Sequence, residues 1–181
     1  MAASPKRHLA KALARARRLR RKARAWIRKP AAQIVFHVDY QSPPNEFMDS
    51  HRGQRIIDYL VENGLLSPRH WIRPRPATFE QLNLVHSFDY LEQLDAKEGL
   101  WRIFGEHNSG FDAVGALHQQ RWMTGGTIAA AREAVKERPV GRPVVNLGGG
   151  LHHAHADKGG GSCTVNDVAV AIALLRRGGF S

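Results

Sequence analysis

Apolar residues recur along the chain with two spacings, one typical of strands and the other typical of helices. Runs rich in β-branched and aromatic residues predict three strands, over residues 33–40, 71–73 and 143–147. Spacings of three and four residues predict three helices, over residues 56–61, 124–135 and 165–177. Because strands and helices alternate, the pattern predicts an α/β fold with a mainly parallel sheet.

Capping and turn residues predict where several elements begin and end. Thr78 is followed three residues later by Gln81, which is the capping-box pattern. Ser87 can cap a helix that carries Tyr90 in the same way. Residues 96–120 mix polar, glycine and aromatic residues without a clear period, so we expect a long connection there. Breaks in the chain are predicted at three further places, residues 42–45, 63–64 and 178–179.

The first 30 residues differ from the rest of the chain in charge. They hold 12 of the 27 Lys and Arg residues and no acid, so residues 31–181 carry 15 bases against all 16 acids. The net charge of +11 therefore belongs to this leader. One side of the leader is apolar and predicts an amphipathic helix, which Pro30 ends. The apolar positions are Leu9, Leu13, Ala16, Leu19, Ala23 and Trp26.

Several functions are compatible with the basic leader. Residues 6–29 could bind an anionic membrane surface or a nucleic-acid backbone through their positive charge. The Arg-rich, acid-free composition is also typical of an organelle transit peptide, and a solvated or disordered leader stays open as well. The single cysteine excludes an intrachain disulfide and favours a reducing, cytoplasmic setting.

Candidate chemistry is concentrated just after the predicted strand at residues 143–147. Two Gly-Gly-Gly runs, residues 148–150 and 159–161, bracket the adjacent histidines His152 and His153. Glycine is costly in conformational entropy, so two such runs indicate a backbone with a specific shape requirement. Histidine is the side chain suited to proton transfer near neutral pH. In parallel sheets, functional loops lie beyond the carboxyl ends of strands, where this segment is predicted to be.

Three simpler interpretations of this segment stay open. The first glycine run gives only an imperfect dinucleotide-binding fingerprint, with no helix directly after it. His152, His153, His155 and Asp157 are suitable metal ligands. Adjacent side chains on an extended chain tend to point to opposite sides, however, which opposes a local tetrahedral site. The histidines could also be packed or exposed without any chemical role.

The same segment resembles a known signature, that of zinc-dependent histone deacetylases and their bacterial relatives, the acetylpolyamine amidohydrolases and acetoin-utilization proteins. The matching stretches are Gly148-Gly-Gly-Leu-His-His-Ala154, Gly159-Gly-Gly-Ser-Cys163 and Asn166-Asp167. The second glycine run and Thr124-Gly-Gly-Thr127 are most similar to the class IV branch. Residues 86–91 resemble the family's His-x-x-Tyr-Leu helix start. The double-histidine motif is the most specific part of a resemblance that covers most of residues 33–181.

The resemblance implies a three-layer α/β fold of the arginase/deacetylase type and a zinc ion that polarises an acyl-amide carbonyl. By position in the motif, His153 would be the general base, and His152 would orient the attacking water. Gly161 would line the tunnel for the acylated side chain, and Ser162 would stand beside it. Cys163 would be buried behind the site as a small apolar residue. The substrate implied is an acylated lysine or a related acylated amine.

Two departures from the family pattern change these expectations. Ser162 stands where the family usually has an aromatic wall residue, so we expect weaker binding of a lysine-like methylene chain. The family's zinc ligands match no position in this sequence, Asp157 and Asp167 included. We therefore expect a truncated fold, with a leader over residues 1–30 and the N-terminal part of a catalytic domain over residues 31–181. The isolated chain is expected to be inactive and poorly soluble. The alternatives are a non-catalytic interaction module and a polyanion-binding protein that acts through its leader.

Overall fold

Parallel strands form the sheet at the centre of the computed structural model, which describes residues 5–27, 31–41, 51–104, 112–136 and 141–180. In this part of the chain, strand β1 (Gln33–Val35) lies between β2 (Trp71–Ile72) and β3 (Val144–Asn146). Ile34 of β1 is in register with Trp71 on one side and Val145 on the other. The prediction of an α/β fold with a parallel sheet is confirmed.

Seven helices accompany the sheet in the described residues. Their bounds are α1 (Pro5–Ile27), α2 (Arg52–Glu62), α3 (Phe79–Leu82), α4 (Phe88–Gln93), α5 (Lys97–Phe104), α6 (Ala113–Lys136) and α7 (Asp167–Arg177). No helix in the described ranges is long and apolar enough to cross a membrane. Pro30 and the predicted turn at residues 42–45 lie outside the described residues.

The first strand is shorter than predicted. It ends at Val35, and a short 3-10 helix (Val38–Tyr40) replaces the expected second half. The backbone N–H of Asp39 donates to Nδ1 of His37 at 3.2 Å, which stabilises the turn. The turn brings the Tyr40 carbonyl to α6, where the side-chain amide of Gln119 donates to it. The β-branched and aromatic composition could not reveal this tertiary contact.

The prediction of a long connection over residues 96–120 is wrong. The described parts of this stretch form α5 and the beginning of α6, which then continues through the predicted helix over residues 124–135. Apolar periodicity failed here because α6 buries small and polar residues, among them Ala116, Gln119, Gln120 and Gly125. A helix face of this composition gives no 3.6-residue hydrophobic signal.

Helix capping agrees with the sequence. Thr78 and Gln81 form the predicted capping box at the start of α3, and the Ser87 hydroxyl accepts a hydrogen bond from the Tyr90 N–H at the start of α4. Asn166 caps α7, which begins two residues later than predicted. Residues 164–165 are held in a turn because the amide oxygen of Gln120 accepts hydrogen bonds from both the N–H and the hydroxyl of Thr164.

Two clusters of buried apolar residues stabilise the fold. The larger one brings together residues of the five helices from α3 to α7. It includes Leu82, Leu94, Leu100 and Val170. The smaller one packs Ile57 of α2 and Trp122 and Met123 of α6 against residues of β1 and β2. Helix α6 contributes to both clusters and also contacts β1, β3 and α7, so it is the element on which the rest of the domain is assembled.

Candidate active site

A loop over residues 147–166 leaves the carboxyl end of β3 and returns to the start of α7. It begins next to β1, where the Leu147 N–H donates to the Val35 carbonyl at 3.0 Å. Gly149 and Gly150 have φ values of +102° and +80°, a backbone conformation that favours glycine. The first glycine run is therefore required by the turn itself.

A single buried carboxylate fixes the first part of this loop. Asp167, the first residue of α7, accepts hydrogen bonds from the Gly150 N–H at 2.9 Å and from the Leu151 N–H at 2.8 Å. The Thr127 hydroxyl of α6 donates to the same carboxylate at 2.5 Å. Hydrogen bonds to an ionised acceptor are stronger than neutral ones, so Asp167 is the main anchor of the chain just before His152.

The hydrogen-bond network continues from Thr127 to the sheet and the 3-10 helix. The side-chain amide of Asn146 donates to the Thr127 hydroxyl at 3.1 Å, and the Tyr40 hydroxyl donates to the Asn146 oxygen at 2.9 Å. Burial, and secondly the nearby charge of Asp167, raise the pKa of the Tyr40 phenol well above its ordinary value. Tyr40 is therefore a neutral donor at physiological pH, which the network requires.

His86 anchors the second part of the loop. This buried ring lies between two backbone groups, with Nδ1 2.8 Å from the His155 carbonyl and Nε2 3.0 Å from the Asn166 N–H. A carbonyl can only accept and an N–H can only donate, so the arrangement requires the neutral ring with its proton on Nδ1. Burial lowers the pKa of His86, which favours the same neutral form.

The two adjacent histidines lie side by side. The ring centroids of His152 and His153 are 4.2 Å apart with an angle of 38° between the planes, and both residues are exposed. The expectation that the two rings point to opposite sides is wrong, because the chain is bent by the glycines before them. Nδ1 of His152 lies 2.7 Å from the Gly150 carbonyl, so it carries a proton and leaves Nε2 free to face a ligand.

Gly161 and Ser162 form the wall beside His153. A Cβ built on Gly161 would lie 2.7 Å from the His153 ring, so only glycine allows this approach. Both residues have positive φ, +52° for Gly161 and +61° for Ser162. The side-chain amide of Gln120 donates to the Ser162 carbonyl at 2.6 Å and holds this wall against α6.

A cavity of about 560 Å³ opens behind the wall. Gly161, Ser162 and the buried Cys163 line one side of it, and Gly150 and Leu151 line another. Other lining residues come from the sheet, the 3-10 helix and helices α2 and α6, among them Tyr40, Arg52, Met123 and Asn146. Of the four residues singled out from the sequence, Gly161 and Ser162 line the cavity, while His153 packs on Gly161 and, like His152, is not among the lining residues.

Two of the simpler interpretations do not fit this geometry. The first glycine run leads into a loop, and the next helix, α7, begins only at Asp167, so the dinucleotide-binding arrangement is absent from this segment. Among the described residues, no three His, Cys, Asp or Glu side chains lie close enough together to hold a metal ion. The described residues therefore do not fit zinc, neither at His152, His153, His155 and Asp157 nor elsewhere.

Several residues of the site were not identified from the sequence. Gln120 lies in the stretch without a recognisable period, and Tyr40 lies in what the composition predicts as a strand. Asp167 belongs to the signature and matches no zinc-ligand position, but its role as an anchor was not predicted, although an acid that follows a helix-capping asparagine is positioned to accept backbone N–H groups. His86 was noted as part of a motif, but its contact with residues 155 and 166 depends on the fold.

The parallel sheet with a glycine-shaped loop beyond its strand ends defines an α/β protein of the arginase/deacetylase fold class. Two solved structures of histone deacetylase homologues share this fold. A homologue from Aquifex aeolicus is 27% identical with a TM-score of 0.63, and a homologue in complex with SAHA is 28% identical with a TM-score of 0.64. Each alignment covers 84% of this chain and 42% of the other chain.

Sequence comparisons identify the family. The model of the histone deacetylase domain matches residues 46–181. Histone deacetylase 2 of Arabidopsis thaliana is 33% identical over 135 residues, which cover 71% of this chain and 34% of the relative. The acetoin utilization protein AcuC of Staphylococcus aureus is 31% identical over 157 residues, which cover 80% of this chain and 37% of the relative. The chain belongs to the histone deacetylase family, and it spans about a third of the length of these relatives.

Proposed function

We propose that this chain supplies the proton-transfer pair and the acyl-binding wall of a deacylase that hydrolyses acyl-lysine or a related acylated amine. The observation that carries the proposal is the contact between the His152 and His153 rings on a loop held by Asp167 and His86. Family membership supports the reaction class, and the complex of a similar protein with SAHA supports the presence of a ligand-binding site in this fold.

The two imidazoles would have different roles in the hydrolysis. His153 would take a proton from the water that attacks the acyl carbonyl and return it to the nitrogen of the leaving amine as the C–N bond breaks. The products are then a carboxylate and a protonated amine. His152 donates from Nδ1 to the Gly150 carbonyl, so its Nε2 would face the water and orient it.

The wall beside His153 would bind the acylated chain. Gly161 brings the wall into contact with the His153 ring, and Ser162 adds a small polar group in place of an aromatic side chain. An aromatic ring would contribute more contact area than serine. We therefore expect weak discrimination between acylated lysine and other acylated amines.

A chimera tests the role of the histidine pair. Residues 31–181 would replace the corresponding segment of Staphylococcus aureus AcuC, and the product would be assayed with zinc on an acetyl-lysine peptide and on an acetylated polyamine. We expect His153→Ala to reduce kcat at least a hundredfold, because general base catalysis typically contributes about 10²–10⁴.

The control is His155→Ala, which changes an exposed histidine of the same loop. It should leave kcat within about twofold, a change of less than 0.5 kcal/mol in the barrier. Circular dichroism shows whether each chimera is folded. A folded chimera whose turnover is unaffected by His153→Ala would contradict the proposal.

The 181-residue chain alone is expected to show no turnover in the same assay. Its described residues form no group that could hold a metal ion, and an imidazole pair without an orienting carboxylate or a Lewis acid is a poor catalyst. Zinc-dependent turnover by the isolated chain that disappears in His153→Ala would show that this expectation is wrong while leaving the roles of the two histidines intact.

A further inference from the structure

Helix α1 presents its apolar side to solvent. Three large apolar residues on this helix, Leu13, Leu19 and Ile27, are 52%, 59% and 86% exposed. At 100° per residue they fall on one arc of the helix together with Ala16 and Ala23, which are exposed too. An amphipathic helix of a globular domain normally turns this side inwards. The opposite orientation here requires an explanation.

Most contacts with the domain come from a different side of the helix, and Trp26, at the edge of the apolar arc, has the Arg69 guanidinium 4.5 Å from its ring centre. Arg18 donates from Nε to the Glu62 carbonyl at 2.6 Å and forms an ion pair with the Glu62 carboxylate at 3.5 Å. The backbone of Lys22 lies so close to Gly64 that a Cβ there would be 2.5 Å from the Lys22 nitrogen. Arg18 and Lys22 lie about 120–160° around the helix axis from the centre of the apolar arc. The attachment therefore leaves the apolar side uncovered by the described residues.

Positive charge surrounds the apolar arc. Arg15 flanks one end of the arc, Arg24 and Arg17 flank the other end, and Arg20 falls inside it between Ile27 and Leu13, all of them exposed. Residues 1–30 contain no acid, and the rest of the chain is nearly neutral, so attraction to a polyanion is confined to this helix. A surface with exposed leucine and isoleucine between arginines matches the boundary between anionic lipid headgroups and acyl chains.

We propose that α1 is a membrane-surface helix, which lies in the plane of an anionic bilayer with Leu13, Leu19 and Ile27 below the headgroups and its arginines at the phosphates. Nucleic acid fits the observations less well, since phosphate contacts would use the arginines and leave the apolar arc in water. The helix lies on the bilayer without spanning it. This inference uses none of the residues assigned to the deacylase function.

Vesicle binding of the full chain tests the inference. We expect at least tenfold stronger partitioning into vesicles of phosphatidylcholine with about one-third phosphatidylglycerol than into phosphatidylcholine alone. Leu13→Ser with Leu19→Ser should reduce partitioning into the anionic vesicles at least tenfold, because two large side chains no longer enter the bilayer. Arg15→Gln with Arg20→Gln should reduce it as well and weaken its dependence on salt.

The control for the leucine pair is Leu65→Ser with Val114→Ser, two residues of similar exposure elsewhere on the surface. It should bind vesicles like the unaltered chain. Bromine-labelled lipids should quench Trp26 fluorescence, and the quenching should be lost in Trp26→Phe. Circular dichroism confirms that the helix persists in each variant. The inference would be overturned if the leucine variant bound anionic vesicles as well as the unaltered chain does. Vesicle binding without quenching, or tighter binding to duplex DNA than to anionic vesicles, would overturn it too.

Discussion

At the scale of single residues, the proposed site depends on contacts between residues that are far apart in the chain. His152, His153, Gly161 and Ser162 follow from a local motif, and the structure brings them together. Their anchors, Asp167 among them, act through contacts with residues 16 to 80 positions away, such as Leu151, Thr127 and Asn166. No local pattern encodes contacts of this separation, which is why the supporting network emerges only from the fold.

Ser162 offers a test of backbone strain next to the proposed acyl-binding wall. Its φ of +61° disfavours any residue with a Cβ, so we expect Ser162→Gly to raise the free energy of unfolding by about 0.5–1 kcal/mol. Gly161→Ala should have the opposite effect, because its φ is also positive and the new Cβ would press on the His153 ring. Urea unfolding measures both changes, and a Ser162→Gly variant less stable than the parent would argue against strain.

His86 makes stability depend on pH. Burial holds its pKa below the ordinary value of 6.5, so near pH 6 the unfolded chain binds more protons than the folded one. This contribution to the free energy of unfolding is fully present above pH 6.5 and decreases as the pH falls towards the folded-state pKa. Between pH 7.5 and 5.5, the free energy of unfolding should therefore decrease more for the parent chain than for the His86→Gln variant. Parallel curves would be inconsistent with a neutral, buried His86.

At the scale of elements, the helices that have a regular apolar stripe could be predicted from the sequence. Helices whose position depends on close packing of small residues could not. Helices α2 and α7 carry an ordinary apolar stripe and were predicted to within a few residues. Helix α6 was only half recognised, because it fits against its neighbours through Gly125, Gly126 and buried amides. Glycine reduces helix propensity in isolation, so its value here comes from the tertiary structure.

Gly125 tests whether close packing sets the position of α6. A Cβ on Gly125 would lie 1.7 Å from the Arg75 carbonyl, a backbone atom that is fixed by the adjacent hydrogen bond from the Ala77 N–H to the Arg121 carbonyl. We expect Gly125→Ala to lower the free energy of unfolding by about 2 kcal/mol or more, although helix propensity alone predicts a gain of about 1 kcal/mol.

The matched control is Gly115→Ala in the first turn of the same helix. There the atoms nearest to the new methyl belong to the Asp112 carboxylate, a flexible group that also accepts a hydrogen bond from the Gly115 N–H at 2.9 Å. Its effect should stay within about 1 kcal/mol in either direction. Equal effects at the two positions in thermal unfolding would mean that α6 is free to shift away from residues 75–77.

At the scale of the whole molecule, the sheet has an exposed edge. Strand β3 pairs with β1 on one side, and no strand in the described residues pairs with its other side. Val145 at this edge is 43% exposed. Exposed edges with apolar side chains template pairing with other chains. The unpaired edge of β3 is therefore the feature that we expect to lower the solubility of the chain.

Self-association through this edge can be measured by sedimentation velocity over a range of concentrations. We expect the parent chain to associate as concentration rises, and Val145→Lys to reduce association, because a charge at an edge opposes strand pairing. Val114→Lys makes the same change at an exposed valine on α6, away from the sheet, and should have little effect. A chain that is monomeric at all concentrations would show that the edge is protected.

The Asp167 carboxylate has a spectroscopic consequence. Because it accepts two successive amide protons, those of Gly150 and Leu151, both should exchange slowly with deuterium although their neighbours in the loop face water. The two resonances would report, without substrate or turnover, whether the loop is in place. Their simultaneous loss of protection would mark the moment at which α7 separates from the glycine segment.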